Sequence, residues 1–160
     1  MAKEKETKTN AMRILEREKL PYVALTYECT EFIDGITTAD MLGLPYEQVY
    51  KTLVTVGKSK EHYVFVIPIA EELDLKKAAK AVGEKSVEMI PMKELTSLTG
   101  YIRGGCTAIG MKKQFRTVVD ETAELLDEMY VSGGKWGVQL RLTPENYIKA
   151  CRGSYADVTV

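Results

Sequence analysis

The sequence predicts a mixed α/β (α+β) single domain: a mixed, mostly antiparallel, barrel-like sheet surrounded by helices. Three observations carry that prediction. β-Branched runs recur along the whole chain. Some of these runs are joined by connections of hairpin length, which favours antiparallel pairing. Others are separated by capped segments of helical periodicity, which supply the outer layer.

The elements follow in order. Thr9 can cap a helix running to about Lys19, with Ala11, Ile14, Leu15 and Met12 turned inward, and Pro21 ends it. Tyr22 to Glu28 alternates as a strand. Thr37 or Thr38 is expected to cap a short helix that stops near Gly43 and Pro45. Val49 to Val56 and His62 to Ile69 read as two strands of a hairpin, joined through the polar stretch after Gly57. Leu73 to Val82 reads as a helix with Gly83 just past its end, and Val87 to Ile90 as a short strand. Pro91 opens a helix closed by Gly100. Thr117 to Val119 is a strand followed by an acidic helical segment. Met129 to Ser132 and Val138 to Leu142 flank a Gly133-Gly134 turn, with Val138, Leu140 and Leu142 on one face and Gln139 and Arg141 on the other. Thr143-Pro144-Glu145 starts a last helix to about Cys151, and Tyr155 to Val160 closes as a strand. Residues 1–8 read as a disordered tail and 9–160 as one domain.

Composition narrows the function. The chain has 160 residues, 45% hydrophobic and 28% charged, an ordinary globular mixture able to bury a core without metal or disulfide. No apolar run has the roughly 20 residues that cross a bilayer, and the polar start does not resemble a secretory signal, so the expected compartment is the cytoplasm. Cys29, Cys106 and Cys151 lie far apart and read as reduced thiols, with no metal site. The single histidine, His62, reads as part of an exposed turn, which argues against a Ser-His-Asp triad. Net charge is −1, too little for a protein that coats nucleic acid. Locally, however, Arg103, Lys112, Lys113 and Arg116 form a basic stretch without acids, directly before five acidic residues between Asp120 and Glu128. That suits transient contact with a phosphate; a solvated charged face is the alternative.

Three features can carry chemistry. Lys51 interrupts an apolar strand, on the face shared by Val49 and Leu53. It either snorkels at an edge or points into a polar pocket with an anionic or carbonyl partner. Gly100 to Lys113 holds four glycines in its first eleven residues, which permits close approach of a ligand to backbone N–H groups, or simply a tight loop. Its spacing fits neither a dinucleotide fingerprint nor a P-loop. Ser132-Gly133-Gly134-Lys135 offers a hydroxyl beside a turn, and Trp136 excludes a Walker motif.

Taken with Lys8-Thr9-Asn10-Ala11-Met12-Arg13-Ile14-Leu15, the segments Tyr50-Lys51-Thr52-Leu53, Gly100–Lys113 and Ser132-Gly133-Gly134-Lys135 resemble, in order and spacing, the YbaK/EbsC family. These are free-standing relatives of the editing domain of bacterial prolyl-tRNA synthetase, and the branch that this chain resembles comprises Cys-tRNA(Pro) deacylases that also act on Cys-tRNA(Cys). The resemblance spans nearly the whole chain. It implies that Lys51 is the essential residue and that Thr52, Gly104, Gly105 and Ser132 line the pocket, with Tyr27 and Phe32 mapped less securely. One departure stands out: Thr107-Ala108 replaces the family's Ser-Pro, which bears on loop rigidity and substrate preference.

The implied activity is trans-editing of mischarged tRNA without metal or organic cofactor. A synthetase distinguishes small side chains by only about 1–3 kcal/mol, so a second site must remove the wrong product. The aminoacyl ester is already activated, and the thiol of a cysteinyl substrate can attack its own carbonyl. In this expectation Lys51 anchors the 3′-terminal adenosine or the carbonyl, while amides near Gly105, with Ser132, stabilise charge. Lys112, Lys113 and Arg116 are candidates for acceptor-stem phosphates. The expected partner is the acceptor end of aminoacyl-tRNA, with prolyl-tRNA synthetase as a further candidate. Competing readings are an Ala-tRNA(Pro) deacylase using water, a non-catalytic module binding tRNA or synthetase, and a small-ligand protein.

Overall fold

The computed structural model describes residues 8–160. Of the expected tail at 1–8, residues 1–7 lie outside the described residues. Lys8 belongs to the folded part, because its Nζ pairs with Glu16 Oε1 at 2.6 Å.

Helix α1 (Asn10–Arg17) begins where the sequence predicts, with Thr9 Oγ1 accepting from the Met12 N–H, and buries Ala11, Met12 and Leu15. Strand β1 (Val23–Thr26) is shorter than expected. Helix α2 (Gly35–Leu42) starts earlier than predicted. Its cap is Asp34, whose Oδ1 accepts from the Thr37 N–H at 2.8 Å, while Thr38 Oγ1 donates to the Asp34 carbonyl. Thr37 and Thr38 are therefore first-turn residues rather than caps; a carboxylate also complements the helix N-terminus better than a hydroxyl does.

Strands β2 (Tyr50–Gly57) and β3 (His62–Pro68) form the predicted hairpin. His62 is the first residue of β3, and its ring packs edge-on against Phe115, so it is a strand residue rather than part of a turn. Helix α3 (Leu75–Val82) is capped by Asp74 and closed by Gly83 in the left-handed region. Strand β4 (Val87–Met89) adds to the outer edge of β2. A 3₁₀ turn follows Pro91, then the short helix α4 (Leu95–Thr99) ends at Gly100. Strand β5 (Arg116–Asp120) lies parallel between β3 and β8 (Ser154–Ala156), and the acidic segment after it is 3₁₀ rather than α. Strands β6 (Met129–Ser132) and β7 (Val138–Leu142) form the second hairpin, and Thr143 caps α5 (Pro144–Cys151) as predicted. The final strand is shorter than expected, though Thr159 still bridges to Leu73.

The antiparallel-rich, mixed architecture matches the expectation. The strands form two sheets, ordered β1-β7-β6 and β4-β2-β3-β5-β8. The sheets meet at one parallel bridge, Val49 to Tyr130. Leu15, Val64, Val66, Ile109, Leu140 and Tyr147 belong to the main core that locks them together. Among the described residues no helix is long and apolar enough to cross a membrane.

Candidate active site

The site follows from how β2 leaves its neighbours. The Ile69 N–H donates to the Val49 carbonyl, so Val49 is in the hydrogen-bonded phase of the β2–β3 ladder. Lys51, two residues on and opposite Ile67, is in the same phase. Thr52, opposite Val66, is in the other phase, and its N–H and C=O point away from β3. On that side β4 reaches only Thr55 to Gly57, and β6 touches β2 only at the Val49–Tyr130 bridge. Beyond the bridge β2 and β6 diverge, and a cavity of about 440 Å³ opens in the wedge. That lies within the range of about 300–1,000 Å³ usual for small-ligand sites.

Lys51, Thr52, Phe32, Gly104 and Ser132 all line this cavity, so chain segments far apart in sequence meet there. The Lys51 side chain is half-buried and its Nζ donates to the Ile69 carbonyl at 3.2 Å. An ammonium has three donors, so two remain for a ligand. Burial lowers the Lys51 pKa, with Glu72 and Glu71 opposing the shift.

Two glycine segments close the opposite wall. A Cβ on Gly105 would lie 2.9 Å from Cα of Lys135 and 3.1 Å from its carbonyl carbon, so the glycine loop rests directly on the backbone of the β6–β7 turn. The N-terminal motif pins both. Asn10 Nδ2 donates to the Gly110 carbonyl at 2.7 Å, and a Cβ on Gly134 would meet Thr9 Cβ at 3.0 Å. Tyr101 OH donates to the Ile109 carbonyl at 2.6 Å from inside the loop. The co-occurrence of these motifs thus has a mechanical reason: Gly105, Gly110 and Gly134 each mark a contact with another motif.

Some expectations need correction. The Gly105 N–H donates to the Ile102 carbonyl at 2.9 Å, so it is committed to the loop's own turn and is not a free donor to a carbonyl. The strand ladder turns the Thr52 amide away from β3, on the side where the cavity opens. Ser132 Oγ accepts from the Gly134 N–H at 3.3 Å, which leaves its own proton for a ligand. Tyr27 is held outside the wall, its N–H donating to the Gly137 carbonyl at 3.0 Å. Lys112, Lys113 and Arg116 do not line the cavity. Lys112 Nζ donates to the Ser97 carbonyl, Lys113 lies 5.9 Å from the Phe115 ring, and Arg116 donates to the last carbonyls of α3, those of Ala81 and Val82.

The sequence reading did not single out other wall residues. Cys106 lines the cavity, but burial pushes its thiol up to about 12, so at neutral pH it is not a thiolate nucleophile. Gln139 is buried in the wall, and its Oε1 has no hydrogen-bond partner among the described residues. Its signal was an amide between Val138 and Leu140, two residues buried in the core. Asp34 also reaches the cavity, with its carboxyl held below the usual range by hydrogen bonds from Thr37, which makes it a weak base. His62 is not part of the wall. The cavity therefore offers a cation, hydroxyl donors and an outward-facing amide, and among the described residues no side chain tuned for nucleophilic attack.

A protein of Enterococcus faecalis (strain ATCC 700802 / V583), named as the Cys-tRNA(Pro)/Cys-tRNA(Cys) deacylase EbsC, is 47% identical over 161 residues, covering 99% of this chain and 98% of that protein. A crystal structure described as a trans-editing enzyme for prolyl tRNA synthetase superposes with a TM-score of 0.80 at 25% identity, covering 97% of this chain and 99% of the other. The hypothetical protein APE2540 shares the fold at a TM-score of 0.86 and 22% identity, covering 94% and 99%. The model of the aminoacyl-tRNA editing domain matches residues 35–150, the stretch that carries Lys51, the glycine loop and the Ser132 turn, and on that match and the full-length relative this chain belongs to the aminoacyl-tRNA editing domain family.

Proposed function

We propose that this protein is a trans-editing deacylase that cleaves the ester of mischarged Cys-tRNA(Pro), with the substrate's own thiol as nucleophile. The observation that carries the reading is the half-buried Lys51 ammonium in a cavity that, among the described residues, holds no activated nucleophile. The name of the E. faecalis relative supports the substrate. Residues 9–160 form the editing domain in this reading, acting in the cytoplasm on the acceptor end of tRNA. A net charge of −1 gives little non-specific grip on RNA, which favours action beside prolyl-tRNA synthetase.

In the proposed reaction Lys51 fixes the aminoacyl carbonyl or the terminal ribose. The substrate sulfur attacks the carbonyl carbon, the C–S bond forms and the ester C–O bond breaks. The thiol proton ends on the ribose oxygen, and a cyclic thiolactone leaves. The Thr52 amide and the Ser132 hydroxyl are the donors proposed to meet the developing oxyanion. No side-chain base is needed, because a thiol with a pKa of about 8.5 already supplies some thiolate at neutral pH.

A panel of mischarged tRNAs tests the substrate. Cys-tRNA(Pro) is expected to turn over at least tenfold faster than Ala-tRNA(Pro), which lacks the internal nucleophile. Equal or faster release of alanine would reassign the enzyme to water attack, and RNA binding without any turnover would make it a binding module.

The pH profile gives a second check. With the cysteinyl substrate, kcat/KM is expected to rise toward the thiol pKa. It should then fall as Lys51 loses its proton, at a pH below the usual lysine value because burial lowers that pKa. A profile with no descending limb would contradict a role for the ammonium.

A further inference from the structure

At the cavity mouth, Arg103 lies over Phe32, with its guanidinium carbon 4.1 Å from the ring centroid. Its position is set from three sides. The Trp136 indole N–H donates to the Arg103 carbonyl at 2.8 Å. Gly104 follows at φ +85°, and a Cβ there would strike Phe32 Cδ1 at 2.8 Å and Trp136 Nε1 at 3.0 Å. The loop before α2, the glycine loop and the β6–β7 turn thus converge on one cation. That side chain is exposed, and among the described residues it has no carboxylate partner.

A guanidinium normally pairs with a carboxylate or remains mobile in water. Here one face is covered by a phenyl ring, while the edge that carries the N–H fork is left uncommitted. A stacked, oriented fork suits bidentate contact with a phosphodiester, which a lysine cannot reproduce. The location suits it as well. With the ester at Lys51, the terminal ribose leads outward, and the next anion along the RNA is the phosphate on the 5′ side of the terminal nucleotide. Lys112 and Arg116, the other strong candidates in the basic stretch, donate to backbone carbonyls away from the cavity.

We propose that Arg103, held on Phe32, is the positioning residue that grips the phosphate preceding the terminal nucleotide of the acceptor end. This rests on the editing reading, because it assumes that an RNA 3′ end enters the cavity.

The test is direct binding of an uncharged RNA minihelix with a single-stranded CCA end, followed by fluorescence anisotropy across a salt series. Arg103→Ala is expected to weaken binding about tenfold and to reduce the slope of log K against log salt by about 0.7–1, the signature of one lost phosphate contact. Arg103→Lys should keep the slope and lose part of the affinity. An unchanged slope in Arg103→Ala, even with weaker binding, would point to stacking and overturn the proposal. So would absence of minihelix binding by the wild type, or full affinity in the alanine variant. Turnover of Cys-tRNA(Pro) by the wild type, scored on the same preparation, isolates the parent reading. No turnover alongside the expected slope change sinks the reaction but keeps the contact.

Discussion

Lys51→Ala is expected to lower kcat/KM for Cys-tRNA(Pro) by on the order of a thousandfold, with the far-ultraviolet circular dichroism spectrum and a cooperative thermal transition retained. Loss of one well-placed donor to a developing oxyanion costs about 10²–10³ in rate, and in this proposal the residue also orients the ester. The fold does not need the amine. Among the described residues its hydrogen bond is to the Ile69 carbonyl, and burial opposes its charge. The direction of stability follows from linkage. The folded-state pKa is lowered, so the unfolded chain binds more protons as pH rises through that value, and the cost of the buried charge is relieved there. At neutral pH the cost is fully present. Lys51→Met should therefore melt at a higher temperature than the wild type while remaining inactive. Turnover near the wild-type level in either variant would remove Lys51 from the site.

Gly105→Ala is expected to destabilise the protein by about 1–3 kcal/mol and to reduce turnover by about a hundredfold. The added methyl would sit 2.9 Å from the Lys135 Cα, with the Lys135 N and carbonyl carbon both at 3.1 Å. Backbone cannot swing aside as a side chain does, so the two walls must part. Displacing catalytic groups by about 1 Å is enough for that loss in rate. Comparison with Gly83→Ala isolates the effect, because the space around Gly83 is open and any cost there comes from its φ of +76° alone. A Gly105→Ala enzyme that stays fast while losing stability would mean that the glycine loop and the Ser132 turn need not touch for catalysis.

Much of this was legible in the sequence, for local reasons. Thr9 and Thr143 cap their helices because a hydroxyl beside an amphipathic run has little else to do, and both hairpins are marked by their turn residues. Lys51 was visible because a charge on a β-branched strand demands an explanation. What escaped notice depends on tertiary placement. Asp34, Thr37 and Thr38 are all cap-competent, and only the chain's entry into α2 selects the first. The Gly105 amide looked available until the turn back to Ile102 claimed it. Arg103 and Gln139 join the site because two sheets diverge beside them, and no local pattern encodes that divergence. The parallel pairing of β8 with β5 likewise depends on a partner far upstream.

Because Asn10 and Thr9 brace loops that lie about a hundred residues downstream, the pocket has no local folding unit of its own. A chain emerging from the ribosome can form α1 and the first hairpin early, yet the wall opposite Lys51 stays incomplete until the β6–β7 turn arrives. Competence is thus acquired late, and a fragment released before the second hairpin would carry the Lys51 amine on a strand that faces only the glycine-loop half of the wall.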